Sequence, residues 1–167
     1  MHFSQGMQVI GCRGSIVMSK CTSTGEEIVV REGASLVMED SRVVGNGGFG
    51  VQCLGDMKAM RCTVEDNGEG GVVVEGEEAS AELVDSVIRK NGASGVGVSE
   101  GKVILRGSTG IENERHGVCA GHGGKVTVVK AEEGKPQTVS KENDGDYWHT
   151  GREGDFVGIP QEKIHAE

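Results

Sequence analysis

One motif recurs four times along the chain and limits the available folds more than any other feature. An asparagine is followed four residues later by glycine and five residues later by valine, and successive asparagines lie 21, 24 and 22 residues apart. The four copies begin at Asn46, Asn67, Asn91 and Asn113. A nearly constant period of this length indicates a protein in which similar structural units stack on one another.

Alignment of the asparagines brings the apolar residues into register. An alternating apolar pair lies ten and eight residues before each asparagine: Leu36/Met38, Met57/Ala59, Ala81/Leu83 and Val103/Leu105. A second pair lies five and seven residues after it: Val51/Cys53, Val72/Val74, Val96/Val98 and Val118/Ala120. The position three residues before it holds Val43, Val64, Ile88 or Gly110. This alternation predicts three short strands per unit, each with one buried face.

The glycine content agrees with a chain of many turns. Glycine accounts for 29 of 167 residues, whereas proline occurs twice and aromatic residues make up 3%. Collagen is excluded because the chain has no Gly-X-Y period, and long helices are disfavoured because glycine destabilises their interiors. We expect each motif asparagine to adopt left-handed backbone angles and to hydrogen-bond through its side-chain amide to the asparagine of the next coil. We expect each motif glycine to supply a positive φ.

The combined pattern resembles the right-handed β-helix repeats of pectate lyases, polygalacturonases and the carbohydrate-binding and sugar-hydrolase repeat class. The resemblance covers roughly residues 7–130. It is strengthened by a small residue five positions before each asparagine: Ser41, Cys62, Ser86 and Ser108. The fold class is therefore all-β, a single-stranded right-handed parallel β-helix of about six coils of roughly 22 residues, with three short strands in each coil. We assign residues 1–133 to the repeats and residues 134–167 to an irregular C-terminal cap or tail, in which Trp148 covers the last coil.

Charge, hydropathy and cysteines restrict the partners and the compartment. The net charge of −9 disfavours nucleic acid, and no apolar stretch reaches the roughly 18 residues of a membrane span. No signal peptide is visible, and the five cysteines form no C-x-x-C pair. We therefore expect reduced thiols and a cytoplasmic or otherwise intracellular location, although an extracellular one stays open if the chain is a fragment.

Four of the cysteines can be placed in the repeat. Cys21 and Cys62 occupy the small-residue position and Cys53 an inward valine position, so we expect them to be small core residues. Cys119 lies one residue away from an inward position and is expected to face outward.

Four residues are candidates for catalysis, but they do not form a complete set. Asp40, Arg61 and Asp85 share one position in successive units, about 4.8 Å apart, where an exposed ladder of opposite charges is the preferred interpretation. His122 lies in a Gly-His-Gly sequence that resembles a polygalacturonase motif, yet the Asn-Thr-Asp phrase and the paired aspartates of that family are missing. We expect His122 to be a turn residue and His116 to face solvent.

The acidic stretch from Glu142 to Asp146 offers oxygen ligands for Ca²⁺, with Asp144 and Asp146 as candidates. It departs from the EF-hand pattern because Tyr147 stands where that pattern requires glycine. A solvated acidic turn is the preferred interpretation, and we expect no metal or other cofactor.

One outward position supplies the candidate binding residues. Nine residues before each asparagine the chain has Val37, Lys58, Glu82 and Ile104. Apolar residues at outward positions are typical of an interaction face. We therefore predict a non-catalytic binding or scaffold module that presents a flat strand face to a protein or glycan partner, with self-association through a strand face or a coil end as one form. The alternative is a lyase, epimerase or hydrolase that acts on acidic polysaccharides, which rests on the fold resemblance.

Overall fold

A computed structural model describes residues 2–3, 7–9, 14–130, 138–143, 145–150, 155–159 and 164–166. Within these residues the chain forms strands and turns, and no helix has the length and apolarity that a membrane-spanning segment requires. The described strands are β1 (His2–Phe3), β2 (Met7–Val9), β3 (Ser15–Ser19), β4 (Thr22–Thr24), β5 (Ile28–Val30), β6 (Ser35–Glu39), β7 (Arg42–Val44), β8 (Val51–Cys53), β9 (Asp56–Met60), β10 (Thr63–Glu65), β11 (Val72–Glu75), β12 (Ser80–Val84), β13 (Val87–Arg89), β14 (Val96–Ser99), β15 (Lys102–Arg106), β16 (Thr109–Ile111), β17 (His116–Gly121), β18 (Lys125–Val129), β19 (Val139–Lys141), β20 (Gly145–Thr150), β21 (Asp155–Val157) and β22 (Ile164–Ala166).

The strands form three parallel sheets, and from β1 to β21 every third strand returns to the same sheet, while β22 pairs with β20. Sheet A has the order β1-β4-β7-β10-β13-β16-β19, sheet B the order β2-β5-β8-β11-β14-β17-β20-β22, and sheet C the order β3-β6-β9-β12-β15-β18-β21. Each coil therefore visits sheet C, then sheet A, then sheet B. This arrangement confirms the predicted parallel β-helix with three short strands per coil.

The described strands extend beyond the four motif copies in both directions. At the N-terminal end β1 pairs with β4 and β2 pairs with β5. At the other end β19, β20 and β21 pair with β16, β17 and β18. The segment predicted as an irregular cap thus contains strands that continue the sheets, while its role as a cap stays a prediction. Trp148 lies on β20 in register with Cys119 of β17.

The core is a set of apolar columns, each made of residues that lie in register on neighbouring strands. One column in sheet C reads Leu36, Met57, Ala81, Val103 and Val126, and all five are buried. The sheet B column from Val51 to Val118 is likewise buried. The period-two pattern therefore predicts correctly which face of each strand is inside, because burial of aliphatic side chains is the main favourable term in folding.

The motif asparagines form a ladder through the interior of the turn between sheets A and B. Asn67 Nδ2 donates to Asn91 Oδ1 at 2.8 Å, and Asn91 Nδ2 donates to Asn113 Oδ1 at 2.9 Å. Asn143 continues the ladder, since its Oδ1 accepts from Asn113 Nδ2 at 3.1 Å. The predicted pairing of amides between coils is confirmed, and it includes one asparagine that the motif search did not find.

The expected backbone angles of the motif are wrong in a consistent way. The left-handed residue is the one before each asparagine, as at Gly45 and Asp66, where φ is 69° and 54°. Gly50 does not have a positive φ; glycine is required there because a Cβ would lie 2.5 Å from Val64 Cγ1 and 2.6 Å from the Gly71 carbonyl oxygen. The motif glycine therefore allows close approach of the next coil.

A second ladder follows the small-residue position. Ser86 Oγ accepts from the backbone N–H of Cys62 at 3.1 Å, and Ser108 Oγ accepts from that of Ser86 at 3.2 Å. Ser41 plays the same part for Cys21. A small side chain is needed here because it turns back to bond the main chain of the adjacent coil in a buried space.

Candidate functional site

The outer face of sheet C carries the residues that the sequence predicts to be a binding surface. They belong to one column, which we call the central column: Val17, Val37, Lys58, Glu82, Ile104 and Thr127 on β3, β6, β9, β12, β15 and β18. Val37 and Ile104 are half-buried, whereas Val17 is 64% exposed. Strand spacing places neighbouring members about 4.8 Å apart. The predicted residues therefore form one continuous row.

Three charges in the middle of this face pair with one another. Lys58 Nζ lies 2.7 Å from Glu82 Oε2, and Arg106 Nε donates to Glu82 Oε1 at 2.9 Å. Hydrogen bonds from the two cations hold the pKa of the Glu82 carboxyl below its ordinary value. Glu82 is therefore an ionised partner in a salt-bridge triad and unsuited to act as a general acid at neutral pH.

Two further columns flank the central one on the same face. The second column reads Ser19, Glu39, Met60, Val84, Arg106 and Val129 from β3 to β18. The third column reads Ser15, Ser35, Asp56, Ser80, Lys102 and Lys125. Met60 and Val84 are half-buried, so the centre of the face is apolar beside the triad.

The three charged candidates Asp40, Arg61 and Asp85 occupy the corner that joins each sheet C strand to the next sheet A strand. All three have left-handed backbone angles, with φ of 47°, 52° and 47°. Arg61 donates to Asp40 in a bidentate pair, at 2.7 Å from Nε to Oδ1 and 3.0 Å from Nη2 to Oδ2. The hydrogen bond from Arg61 lowers the pKa of Asp40. Asp40 and Arg61 thus make one of the two opposite-charge contacts that the predicted ladder requires.

His122 lies at the opposite end of the sheet C strands from these corner residues. It precedes β18, in the turn that leads from sheet B into sheet C, with φ of 48°. Five residues along the strand, or about 17 Å, separate that end of sheet C from the end that holds Asp40, and β18 and β6 also lie four strands apart in the sheet. The structure thus does not bring His122 together with the carboxylates that a hydrolytic mechanism would need.

His116 differs from its expected position. It begins β17 and is 9% exposed, and its Nδ1 lies 3.3 Å from Ser94 Oγ. Ser94 and His116 each lie three residues after a motif asparagine, so stacking of successive coils buries the imidazole. The expectation of a solvent-facing histidine is therefore wrong.

A buried carboxylate on the outer face of sheet A is absent from the sequence-based candidates. Arg42 Nη2 pairs with Glu65 Oε1, and Arg89 Nε donates to Glu65 Oε2 at 2.7 Å. The Glu65 side chain is 3% exposed, whereas Arg42 and Arg89 are about half exposed. Burial by itself raises the pKa of a carboxyl, but the hydrogen bonds from both arginines outweigh it and leave the pKa of Glu65 lowered.

A shallow acidic cleft lies where sheet B leads into sheet C. Its volume is about 380 Å³, and its lining includes Glu32, Leu54, Glu75, Glu77 and Glu78. Gln52 Nε2 donates to Glu75 Oε2 at 2.9 Å. The side chains in the described ranges include no group of three His, Cys, Asp or Glu that could hold a metal ion. Only the clustered glutamates at 75–78 signalled this cleft in the sequence.

The remaining candidates are the Ca²⁺ ligands and the cysteines. Asp144 lies outside the described residues, and Asp146 lies on β20 without a described side chain, so the Ca²⁺ prediction is untested. Cys53 is buried, which raises the pKa of its thiol to about 11, and burial also raises the pKa of Cys62. Cys119 is half-buried at an outward position of β17, as expected.

Comparison with known proteins agrees with this architecture. The family described as a right handed beta helix region matches residues 2–132, most of the chain. Neither the curated proteins nor the solved structures give a significant match. The comparisons therefore identify the repeat and its fold. A function has to be inferred from the residues on the outer faces.

Proposed function

The chain belongs to the right-handed β-helix family, and we propose that it is a non-catalytic binding or scaffold module that presents the outer face of sheet C to a protein partner. The observation that carries this proposal is the composition of that face. Half-buried Val37, Met60, Val84 and Ile104 surround a triad whose charges already pair within the chain.

The chemistry of the face favours a protein over a glycan. Aromatic side chains offer a sugar ring a flat apolar surface for stacking, and the three columns of sheet C from β3 to β18 contain apolar, hydroxyl and charged residues but no aromatic one. Aliphatic side chains on a flat surface gain most from burial against other aliphatic side chains. A protein surface supplies these.

The ionisable groups argue for binding over polysaccharide cleavage. A glycoside hydrolase needs one carboxyl with a raised pKa to protonate the leaving group. Among the described carboxylates, those with clearly shifted pKa are Asp40, Glu65 and Glu82, and each is lowered by arginine or lysine partners. Such groups stay ionised at neutral pH.

A pair of double variants tests the proposal. Val37→Lys with Ile104→Lys places two charges on the centre of the sheet C face, whereas Val44→Lys with Val87→Lys makes the same change at half-buried outward positions of sheet A. We expect proteins captured from a native-host extract by the immobilised wild type to be depleted about tenfold on the sheet C variant. The sheet A variant should retain them.

Two outcomes would contradict the proposal. One is the same set of captured proteins on the wild type and both variants. The other is release of oligosaccharides from pectate, alginate or neutral glycans by the folded wild type, measured on the same preparation. Circular dichroism of each variant verifies that the comparison is between folded proteins.

A further inference from the structure

The outer face of sheet C reads as its own complement when the order of its strands is reversed. The midpoint lies between β9 and β12, the two strands that hold Lys58 and Glu82. Reversal about that midpoint places Lys58 opposite Glu82, and Val37 opposite Ile104. In the central column a cation thus meets an anion, an apolar residue meets an apolar residue, and at the outer strands Val17 meets Thr127.

The second column repeats this correspondence independently. The same reversal places Glu39 on β6 opposite Arg106 on β15, and Met60 on β9 opposite Val84 on β12. In the third column Asp56 meets Ser80, while each lysine meets a serine: Lys102 with Ser35 and Lys125 with Ser15. Among these columns from β3 to β18, no like charges stand opposite each other.

We infer that the partner of the sheet C face is the same face of a second copy of this chain. The two copies would be related by a two-fold axis parallel to the strands, which reverses the order of the coils and keeps each column against itself. The inference rests on the proposed function and names the partner of that face. Across the interface the dimer places Lys58 opposite Glu82, which already pair within each copy, and Glu39 opposite Arg106, around a centre of apolar contacts.

Other pairings of two copies are electrostatically worse. A shift of the axis onto β12 places Glu82 against Glu82, and a shift onto β9 places Lys58 against Lys58. An axis parallel to the solenoid brings both like-charge contacts together. Because like charges placed opposite each other cost several kcal/mol at an interface, the charge pattern selects one register.

The size of the face implies a weak dimer. Six strands at about 4.8 Å and five residues at about 3.3 Å give about 480 Å² per copy, below the roughly 800 Å² of a standard interface. The net charge of −9 on each copy adds repulsion. We therefore expect a monomer–dimer equilibrium in the micromolar range or above.

A charge-swap experiment tests both the dimer and its register. Glu39→Arg gives a chain with arginine at both positions 39 and 106, and Arg106→Glu gives a chain with glutamate at both. A homodimer of either single variant therefore places like charges opposite each other across the axis. Sedimentation equilibrium at concentrations where the wild type dimerises should show both single variants as monomers. Their equimolar mixture should regain the dimer, since every opposed pair is then of opposite sign.

Two further single variants, Lys58→Glu and Glu82→Lys, form a second swap pair. This second pair is used if Glu39→Arg or Arg106→Glu fails to fold. Lys90→Glu, at an exposed corner paired with Glu112, changes the charge away from sheet C and should dimerise as the wild type does. A monomeric wild type at millimolar concentration, or a mixture that stays monomeric, would overturn the inference. In that case loss of capture by Val37→Lys with Ile104→Lys would still support a protein-binding face with a different partner.

Discussion

At the scale of single residues, each motif asparagine is held by the coil that follows it. The Oδ1 atom of Asn91 accepts from both the backbone N–H and Nδ2 of Asn67, and its own Nδ2 donates to Asn113 and to the Val64 carbonyl oxygen. Asn46 is different, since its Oδ1 is buried without a hydrogen-bond partner in the described structure. The coil before it has no asparagine at that position.

This difference predicts unequal costs for the same substitution. Asn91→Ala leaves buried donors of Asn67 without an acceptor, so we expect the free energy of unfolding to fall by about 2–4 kcal/mol. Asn46→Ala removes two long hydrogen bonds of 3.5 Å and an unpartnered oxygen, so its loss should be less than half as large. Urea denaturation of the two variants measures the difference. Equal losses would mean that the ladder contributes little beyond the volume of the side chain.

The motif residues also show what sequence reasoning can and cannot provide. The period alone predicts that asparagine amides pair between coils, because identical positions stack. It does not give the reason for Gly50, which depends on the distance to Val64 and Gly71 in the next coil. It also misses Asn143, because 30 residues separate it from Asn113 and the spacing to the following strand differs.

At the scale of strands, charged side chains on the outer faces connect coils that the backbone ladder already joins. Glu65 on β10 pairs with Arg42 on β7 and Arg89 on β13, so one carboxylate spans three strands. Glu82 does the same on sheet C with Lys58 and Arg106. Because Glu65 is almost fully buried whereas Glu82 is partly exposed, Glu65 should contribute more to stability.

Stability at acid pH should depend on Glu65. Its pKa in the folded chain lies below the ordinary 4.5, so its contribution is fully present above about pH 4.5 and is lost as the pH falls through the folded pKa. Glu65→Gln should lower the free energy of unfolding by about 1–3 kcal/mol at pH 7, and the gap to the wild type should narrow below the ordinary pKa.

Urea denaturation at several pH values measures that gap. Glu112→Gln is the matched control, because the side chain of Glu112 is 43% exposed and its 3.5 Å pair with Lys90 is of the weak surface type. A gap between wild type and Glu65→Gln that stays constant from pH 7 to pH 3 would show that Glu65 acts through packing and not through its charge.

At the strand scale, the sequence predicts which residues line up in a sheet better than it predicts which side chains contact one another. The central column was predictable because Val37, Lys58, Glu82 and Ile104 share one offset from the asparagine. The Glu65 triad was not, since Arg42 lies four residues before its asparagine whereas Glu65 and Arg89 lie two before theirs. Whether a side chain contacts a residue of a neighbouring column, as Glu65 contacts Arg42, depends on its rotamer and on local burial. These are consequences of the folded surface.

At the scale of the whole molecule, the buried apolar columns form one continuous core that includes Cys53. The rate at which a reagent reaches a buried thiol therefore reports on opening of the solenoid. Cys53 is fully buried with a thiol pKa of about 11, whereas Cys119 is half-buried on an outer face. In a Cys12→Ser background at pH 8, alkylation of Cys53 should be at least about a hundredfold slower than that of Cys119. Mass spectrometry of peptides after timed labelling measures both rates.

Denaturant provides the control for that experiment. In urea above the unfolding midpoint the two cysteines should react at similar rates, because the environment that separates them is gone. Comparable rates in the folded protein would contradict a closed core around Cys53 and point to frequent local opening.

In both interior ladders the backbone N–H donors point in a single direction along the chain. The N–H groups of Asn67 and Cys62 donate to Asn91 and Ser86, and each acceptor belongs to the later coil. As the polypeptide leaves the ribosome, a newly made coil therefore has donors whose acceptors are not yet synthesised. The hydrogen bonds of each coil are complete only when the next coil in the sequence has emerged. The solenoid would therefore form from its N-terminal end with a delay of about one coil. At 5–20 residues per second this delay is roughly one to five seconds.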